Sequence, residues 1–196
     1  MLQQILELIF PPQCGGCDQT GTVACERCLP PGITHTLLLP TLSVTALGRY
    51  EGEVRRAVLA LKKGRRDVAR AFGARLSSLA LPGDVLIPVP TTRARRRERG
   101  LDGCESIARE AARLCGAHVI CGLVQIAGDK QRGRGREARL AAHGRFRWAG
   151  EDLRGKTVVL LDDVVTTGAT LEDCAHALRG AGARVDRAIA IAAVER

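Results

Sequence analysis

An α/β fold, with a mostly parallel sheet flanked by helices and preceded by a short N-terminal helix and a small four-cysteine module, is predicted from three observations. Short apolar runs at 84–89, 119–126, 158–161 and 184–194 alternate with amphipathic stretches of helical length, the pattern of strands joined by helical crossovers. The run Val158-Val159-Leu160-Leu161 passes through two acids and a glycine turn into an amphipathic segment, which makes a strand–turn–helix unit. Arginine-rich loops follow two of the apolar runs, at the strand edge where open α/β sheets bind ligands. The 196 residues divide into 1–40, holding helix, cysteine module and linker, and 41–196, holding the α/β domain.

A hydrophobic share of 45% is enough for a core. The net charge of +9 favours acidic or phosphorylated partners. Lys62, Lys63, Lys130 and Lys156 are the only lysines among 30 basic residues, an arginine bias that genome composition alone can produce. Aromatic content is 3%, so stacking platforms for single-stranded nucleic acid are scarce.

In MLQQILELIF, Leu2, Ile5, Leu6 and Ile9 stand at helical spacing, which predicts a short amphipathic helix. The segment carries an acid, lacks a basic flank and is too short to cross a bilayer, so neither a signal peptide nor membrane insertion is expected. A reducing cytoplasm is the expected location, with Cys104, Cys115, Cys121 and Cys174 as buried thiols. Cys14-x-x-Cys17 and Cys25-x-x-Cys28 form two knuckles that can each place two thiolates on one tetrahedral ion. Structural zinc suits four soft ligands; two disulfides or a metal-free knuckle are the alternatives. Gly15 and Gly16 are read as permitting the tight turn of the first knuckle.

Pro30-Pro31-Gly32 opens a linker over 30–41. A strand is expected over 42–47, a turn at Tyr50-Glu51-Gly52, and two helices within 53–80 that break near Gly64. Lys62 and Lys63 end the first helix, where a solvated C-terminus accounts for them. The strand at 84–89 leads into Thr91-Thr92-Arg93 and further arginines, suited to diphosphate or simply a solvated basic loop. A helix over 101–115 and a strand over 119–126 follow. The glycine-spaced basic loop 128–139, which contains Lys130, Gln131 and Arg132, is expected as a lid over an anion or as a nucleic-acid contact. An extended piece at 146–148, a turn at 150–156, a helix over 171–180 and a strand over 184–194 complete the chain.

The chemistry concentrates at 157–183. Thr166, Thr167, Gly168, Ala169 and Thr170 form a hydroxyl-rich turn before a helix N-terminus, where free N–H groups and the helix dipole favour a phosphate. Asp162 and Asp163 repel that phosphate, so they must serve a hydroxyl-bearing or cationic neighbour. Ribose 5-phosphate meets both demands, with its phosphate in the turn and its vicinal hydroxyls on the carboxylates.

The segment 160–170, LDDVVTTGAT after its first leucine, resembles the phosphoribosyl-diphosphate (PRPP) binding motif of type I phosphoribosyltransferases. With the cysteine module, Tyr50-x-Gly52 and Lys62, Pro88-Val89-Pro90 and Arg99-Gly100, the whole chain resembles the ComF family, associated with competence and DNA uptake in bacteria. Leu101-Asp102-Gly103 stands where that family commonly has Phe-Asn-Gln, and Leu140-Ala141-Ala142 follows Arg139 where it has x-x-Asn. The resemblance implies a type I phosphoribosyltransferase-like fold and binding of PRPP or a nucleoside monophosphate. It places residues 166–170 on the 5-phosphate, Asp162 and Asp163 on the ribose as catalytic acids, and Thr91, Thr92 and Arg93 against the diphosphate. Lys130, Gln131 and Arg132 would close over it, with Mg²⁺ carried by the diphosphate. The implied role is PRPP binding connected with DNA uptake or processing, with single-stranded DNA and a competence or helicase-like protein as partners. An active transferase that releases diphosphate is the alternative.

Overall fold

The computed structural model describes residues 11–92, 97, 100, 102–126 and 144–194. The N-terminal helix and the positions Arg93, Lys130, Gln131 and Arg132 lie outside the described residues. Eight strands are described: β1 His35–Leu38, β2 Ser43–Arg49, β3 Val85–Pro88, β4 His118–Val119, β5 Leu123–Gln125, β6 Phe146–Trp148, β7 Thr157–Val165 and β8 Arg184–Ala193. The helices are α1 Gly52–Lys62, α2 Arg66–Leu76, α3 Gly103–Cys115 and α4 Ala169–Gly180, with a 3-10 turn at Ser77–Leu79.

Six strands form one sheet in the order β1-β2-β8-β7-β3-β4. Only β1 runs antiparallel to its neighbour; the other pairings are parallel. A separate antiparallel pair, β5 with β6, stands beside it. The continuous apolar run in β7 follows from burial of both sheet faces. Val158 and Leu160 pack in one core with Leu171, Cys174 and Leu178 of α4. Val159 and Leu161 point the other way, into a core built with Val58 of α1, Phe72 of α2 and Ile107 of α3. Successive side chains thus alternate between two cores, as the pleat requires.

The ends of the helices next to the sheet edge are locally encoded. Asp102 caps α3 by accepting the Glu105 N–H at 3.3 Å, and Gly116, at φ 74°, closes it. α4 starts just after Gly168, at φ 76°.

Residues 11–29 pack on the α1–α2 face. Leu29 is buried in that core, with Val23 and Ala24 partly buried against it. Arg65 holds the module at the α1–α2 junction by donating to the Gln13 carbonyl at 2.8 Å. Gly15 and Gly16 have ordinary φ angles, so turn conformation is not what requires them. A Cβ on Gly16 would lie 2.8 Å from the Glu53 carbonyl oxygen, and one on Gly15 3.0 Å from the Val68 side chain. Close approach to the α1 backbone requires Gly16, and close packing on the Val68 side chain favours Gly15.

Three expectations are corrected. The linker expected over 30–41 contains β1, paired in register with β2. The single strand expected over 119–126 is two: β4 ends on the main sheet at Val119, and β5 belongs to the small one. A Cβ on Gly122 would meet the Trp148 ring at 2.7 Å, so the chain passes closely over that indole where it leaves the main sheet. Of the four thiols expected as buried, Cys104 and Cys174 are, Cys115 is half-buried and Cys121 is exposed.

Candidate phosphoribosyl site

The parallel pairing of β3 with β7 brings their C-terminal ends to the same edge, where Val89 donates to the Leu161 carbonyl at 2.8 Å. The start of α3 and the end of α1 reach that edge as well. Between them lies a cavity of about 240 Å³, lined by Lys62, Thr91, Thr92, Asp102, Cys104, Gln125, Arg145, Phe146, Asp162, Asp163 and Thr170, among others. A smaller hollow of about 30 Å³ is formed by residues 164–171 together with Asp162. Asp162, Val164 and Thr170 line both, so the hollow in the turn adjoins the cavity.

The turn is held by its own bonds and by a neighbour. Thr167 Oγ1 accepts the Ala169 N–H at 3.3 Å, and the Gly168 carbonyl accepts Glu172 N–H at 3.0 Å. Gly168 needs its positive φ, and a Cβ there would also lie 2.4 Å from both Cδ atoms of Leu39. Leu39 follows β1, and the hairpin it belongs to is tied to α4. The Thr41 N–H donates to Glu172 Oε1 at 2.9 Å, and Arg179 Nη2 donates to the Thr41 carbonyl at 2.8 Å.

The acids lie within β7 rather than beyond it. Lys62 Nζ stands 3.2 Å from Asp163 Oδ2. Lys62, expected as a solvated helix end, is therefore part of the cavity and the counter-ion of Asp163. Asp162 Oδ1 accepts the Asp163 N–H at 2.8 Å and lies 3.9 Å from the Cys104 thiol, which donates to it. Burial raises the Asp162 carboxyl to about 7, with the Asp163 charge adding to the rise. The Asp163 N–H, Lys62 and Cys104 oppose the shift. Burial, with the charges of Asp162, Asp163 and Asp102, holds the Cys104 thiol well above its ordinary range, so it stays protonated.

Residues 101–196 match the phosphoribosyl transferase domain family. That stretch is a phosphoribosyl transferase domain. Over 94 residues, 48% of its length, the chain is 31% identical to the competence protein ComFC of Bacillus subtilis. It is 45% identical over 47 residues, 24% of its length, to an orotate phosphoribosyltransferase of a Nocardioides species. The chain spans 38% and 25% of those two relatives. Among solved structures, it is similar to a B. subtilis glutamine PRPP amidotransferase, with 24% identity, a TM-score of 0.45, and coverage of 63% of this chain and 26% of that one. It is also similar to a phosphoribosyltransferase from Corynebacterium diphtheriae, at 23% identity, a TM-score of 0.39 and 70% of each chain. With the cysteine cluster, the domain and the likeness to ComFC support a ComF-family protein carrying a phosphoribosyl transferase domain.

The phosphoribosyl transferase domain match begins after the cysteine module, so that module is judged on its geometry. The four Sγ atoms lie within 4.8 Å of one another, with Cys14–Cys25 at 3.7 Å and Cys17–Cys25 at 3.6 Å. Four thiolates at zinc's bond length in a tetrahedron stand about 3.8 Å apart. All four cysteines are free in this arrangement. Burial pushes the Cys14 thiol up, but N–H donors of Cys25, Gly16 and Cys17 outweigh it and bring it to about 6, whereas burial and the neighbouring thiols push Cys28 up, so the four thiols hold protons unequally without an ion. By the spacing of its sulfurs, the donor set fits one tetrahedral ion.

Thr91, Thr92, Asp162, Asp163 and Thr170 meet around one cavity, and residues 166–169 line the hollow. Sequence reasoning missed Asp102, Cys104, Gln125, Arg145 and Phe146 as cavity residues, along with Asp173 behind them. Asp173 left a signal. It is a carboxylate on the apolar face of α4, between Leu171 and Cys174, and it is buried there. Gly144 N–H and Arg145 N–H donate to its two oxygens at 2.9 and 3.1 Å, and Arg145 Nε adds a bond at 2.9 Å.

Proposed function

We propose that the chain binds PRPP or a related ribose 5-phosphate, such as a nucleoside monophosphate, in this cavity. The observation that carries the reading is that the hollow at 166–170 shares lining residues with a cavity that Asp162, Asp163, Thr91 and Thr92 also line. The 5-phosphate sits in the turn, on its backbone N–H groups and the positive end of α4. The ribose hydroxyls lie on the two carboxylates. Thr91, Thr92 and Arg93 face the diphosphate, and Lys130, Gln131 and Arg132 close over it. Because Asp163 already has Lys62 as its counter-ion, Mg²⁺ arrives on the diphosphate oxygens rather than waiting on the protein. Zinc is structural, held by Cys14, Cys17, Cys25 and Cys28, with no open position for chemistry. The setting is the reducing cytoplasm. By analogy with the competence relative, the role is connected with DNA uptake or processing, with single-stranded DNA and a helicase-like protein as partners.

Isothermal calorimetry with PRPP and Mg²⁺ tests the binding reading. Wild type is expected to give saturable heat, and the Asp162→Asn/Asp163→Asn variant at least about tenfold weaker binding, since hydrogen bonds to charged groups are worth about 1.5–3 kcal/mol. Equal heats from the two proteins would sink it.

One observation favours a second reading, an active transferase. A carboxyl at about 7 inside a ligand cavity is suited to general-base work near neutrality. In that reaction a nitrogen nucleophile forms a bond to C1 of the ribose as the C1–oxygen bond to diphosphate breaks. The nucleophile's proton passes to Asp162. Diphosphate release with any of a panel of bases supports this reading, whereas DNA binding without release supports the binding module.

A further inference from the structure

Arg145 stands where the wall of the ligand cavity meets the phosphate turn. It lines the cavity together with Thr170, and its Nη2 donates to the carbonyl of Ala169, the first residue of α4, at 2.9 Å. Its Nε is fixed on Asp173, whose side chain is only 3% exposed. Those two bonds hold the guanidinium along the first turn of α4, beside Thr170 on the cavity wall. The Gly144 and Arg145 N–H groups reach one Asp173 oxygen each as well, so the guanidinium is one of three donors on that carboxylate. A cation beside a helix N-terminus is unfavourable on its own account. A partner serving only Asp173 would gain nothing from being exposed, yet the Arg145 side chain is 48% exposed. An anion seated in the turn resolves this, since it meets the helix dipole and the guanidinium together.

We propose that Arg145 is a ligand-contacting cation of the 5-phosphate position, and that Asp173 is the positioning residue that orients it. The inference rests on the phosphoribose reading above and adds to it a side chain that the turn motif does not contain. It assigns to Arg145 the phosphoryl group on the sugar rather than the diphosphate, because both of its anchors, Ala169 and Asp173, belong to α4.

The test is calorimetry on the full chain with two separate probes, ribose 5-phosphate and Mg²⁺-diphosphate. For Arg145→Gln, ribose 5-phosphate is expected to bind about tenfold or more weakly, the scale of one lost charge-assisted bond, with diphosphate affinity unchanged. Arg145→Lys should recover part of the loss, because the charge stays while the fork is lost. Asp173→Asn should weaken ribose 5-phosphate with Arg145 still present, and unfolding midpoints of all variants establish that each is folded. Unchanged ribose 5-phosphate binding by Arg145→Gln overturns the proposal. So does equal weakening of both probes, which is the signature of a structural role. If wild type binds neither probe, the phosphoribose reading itself fails. Wild-type binding with an indifferent Arg145→Gln sinks this inference alone.

Discussion

In the β7–α4 unit, Val158, Leu160, Leu171, Cys174 and Leu178 are wholly or almost wholly withdrawn from water. Across residues 11–29 the buried side chains are Cys14, Cys25, Cys28 and Leu29, with half-buried Cys17 beside the other thiols. The first region is organised by apolar contact on a sheet packed on both faces. The second has almost no apolar interior of its own, and four polarizable sulfurs stand where its core would be. Burying apolar surface needs no ligand. A cluster of thiols gains comparable organisation only from an ion, as structural zinc contributes folding energy outright. The contrast also separates their tasks. The packed unit gives the turn beside the cavity a set geometry, while the thiol module covers the α1–α2 face, away from the cavity lining.

Stripping the metal should give the largest effect. Zinc binding in small modules is worth about 10–16 kcal/mol, far more than the few apolar contacts here. One zinc per chain is expected by elemental analysis of reduced protein. After chelation, or in Cys25→Ser, hydrogen exchange should show amides of 13–29 losing protection while β7 and β8 keep theirs. Protection of 13–29 that survives without metal would mean that docking on α1 and α2 suffices, and the contrast between the regions would collapse.

A smaller effect is expected inside the packed unit, at the phosphate turn. Gly168→Ala places a side chain at φ 76° and drives its Cβ into Leu39. The backbone term costs about 1–2 kcal/mol, and overpacking about 1–3 kcal/mol more. Leu39→Ala/Gly168→Ala should remove the second term and leave the first. In urea unfolding, the double variant is then more stable than the sum of the singles requires. Strict additivity would show that Leu39 and the turn do not bear on each other.

The same contrast governs what was legible in the sequence. The strand, acids, turn and helix of 157–180 are encoded locally: alternating cores demand a continuous apolar run, and the turn needs its glycine. The paired Cys-x-x-Cys spacing is likewise a local signal. β1 was not legible. His35-Thr36-Leu37-Leu38 is too short to show a period, and Pro30-Pro31-Gly32 marks the region as a break, so only pairing with β2 makes it a strand. The division at Gly122 depends on Trp148, 26 residues away in the chain. Lys62 ends a helix, where solvent and an ion pair with a residue a hundred positions later look alike from sequence. Arg145 and Asp173 meet only once α4 is laid against the β5–β6 pair.

Lys62→Met probes the paired acids at the end of β7, and its effect on stability is the smallest of the three. The Lys62–Asp163 pair is partly solvated, and such pairs contribute about 0–1 kcal/mol. The informative quantity is the pH dependence. Asp162 has a folded-state value of about 7 against an ordinary 3.8, so between those values the folded state holds a proton that the unfolded state has released. Stability therefore falls as pH rises through that window, with a slope of at most about 1.4 kcal/mol per pH unit, and levels off above 7. Lys62 pulls the Asp162 value down, so its removal pushes the carboxyl higher and carries the decline to higher pH. Urea midpoints of Lys62→Met should go on falling between pH 7 and 8, where those of wild type flatten, and Asp162→Asn should remove the slope from both. Parallel pH profiles for wild type and Asp162→Asn would mean that Asp162 is already ionised in the folded state. Burial at the end of β7 would then be supplying geometry to the ligand cavity without holding a proton there.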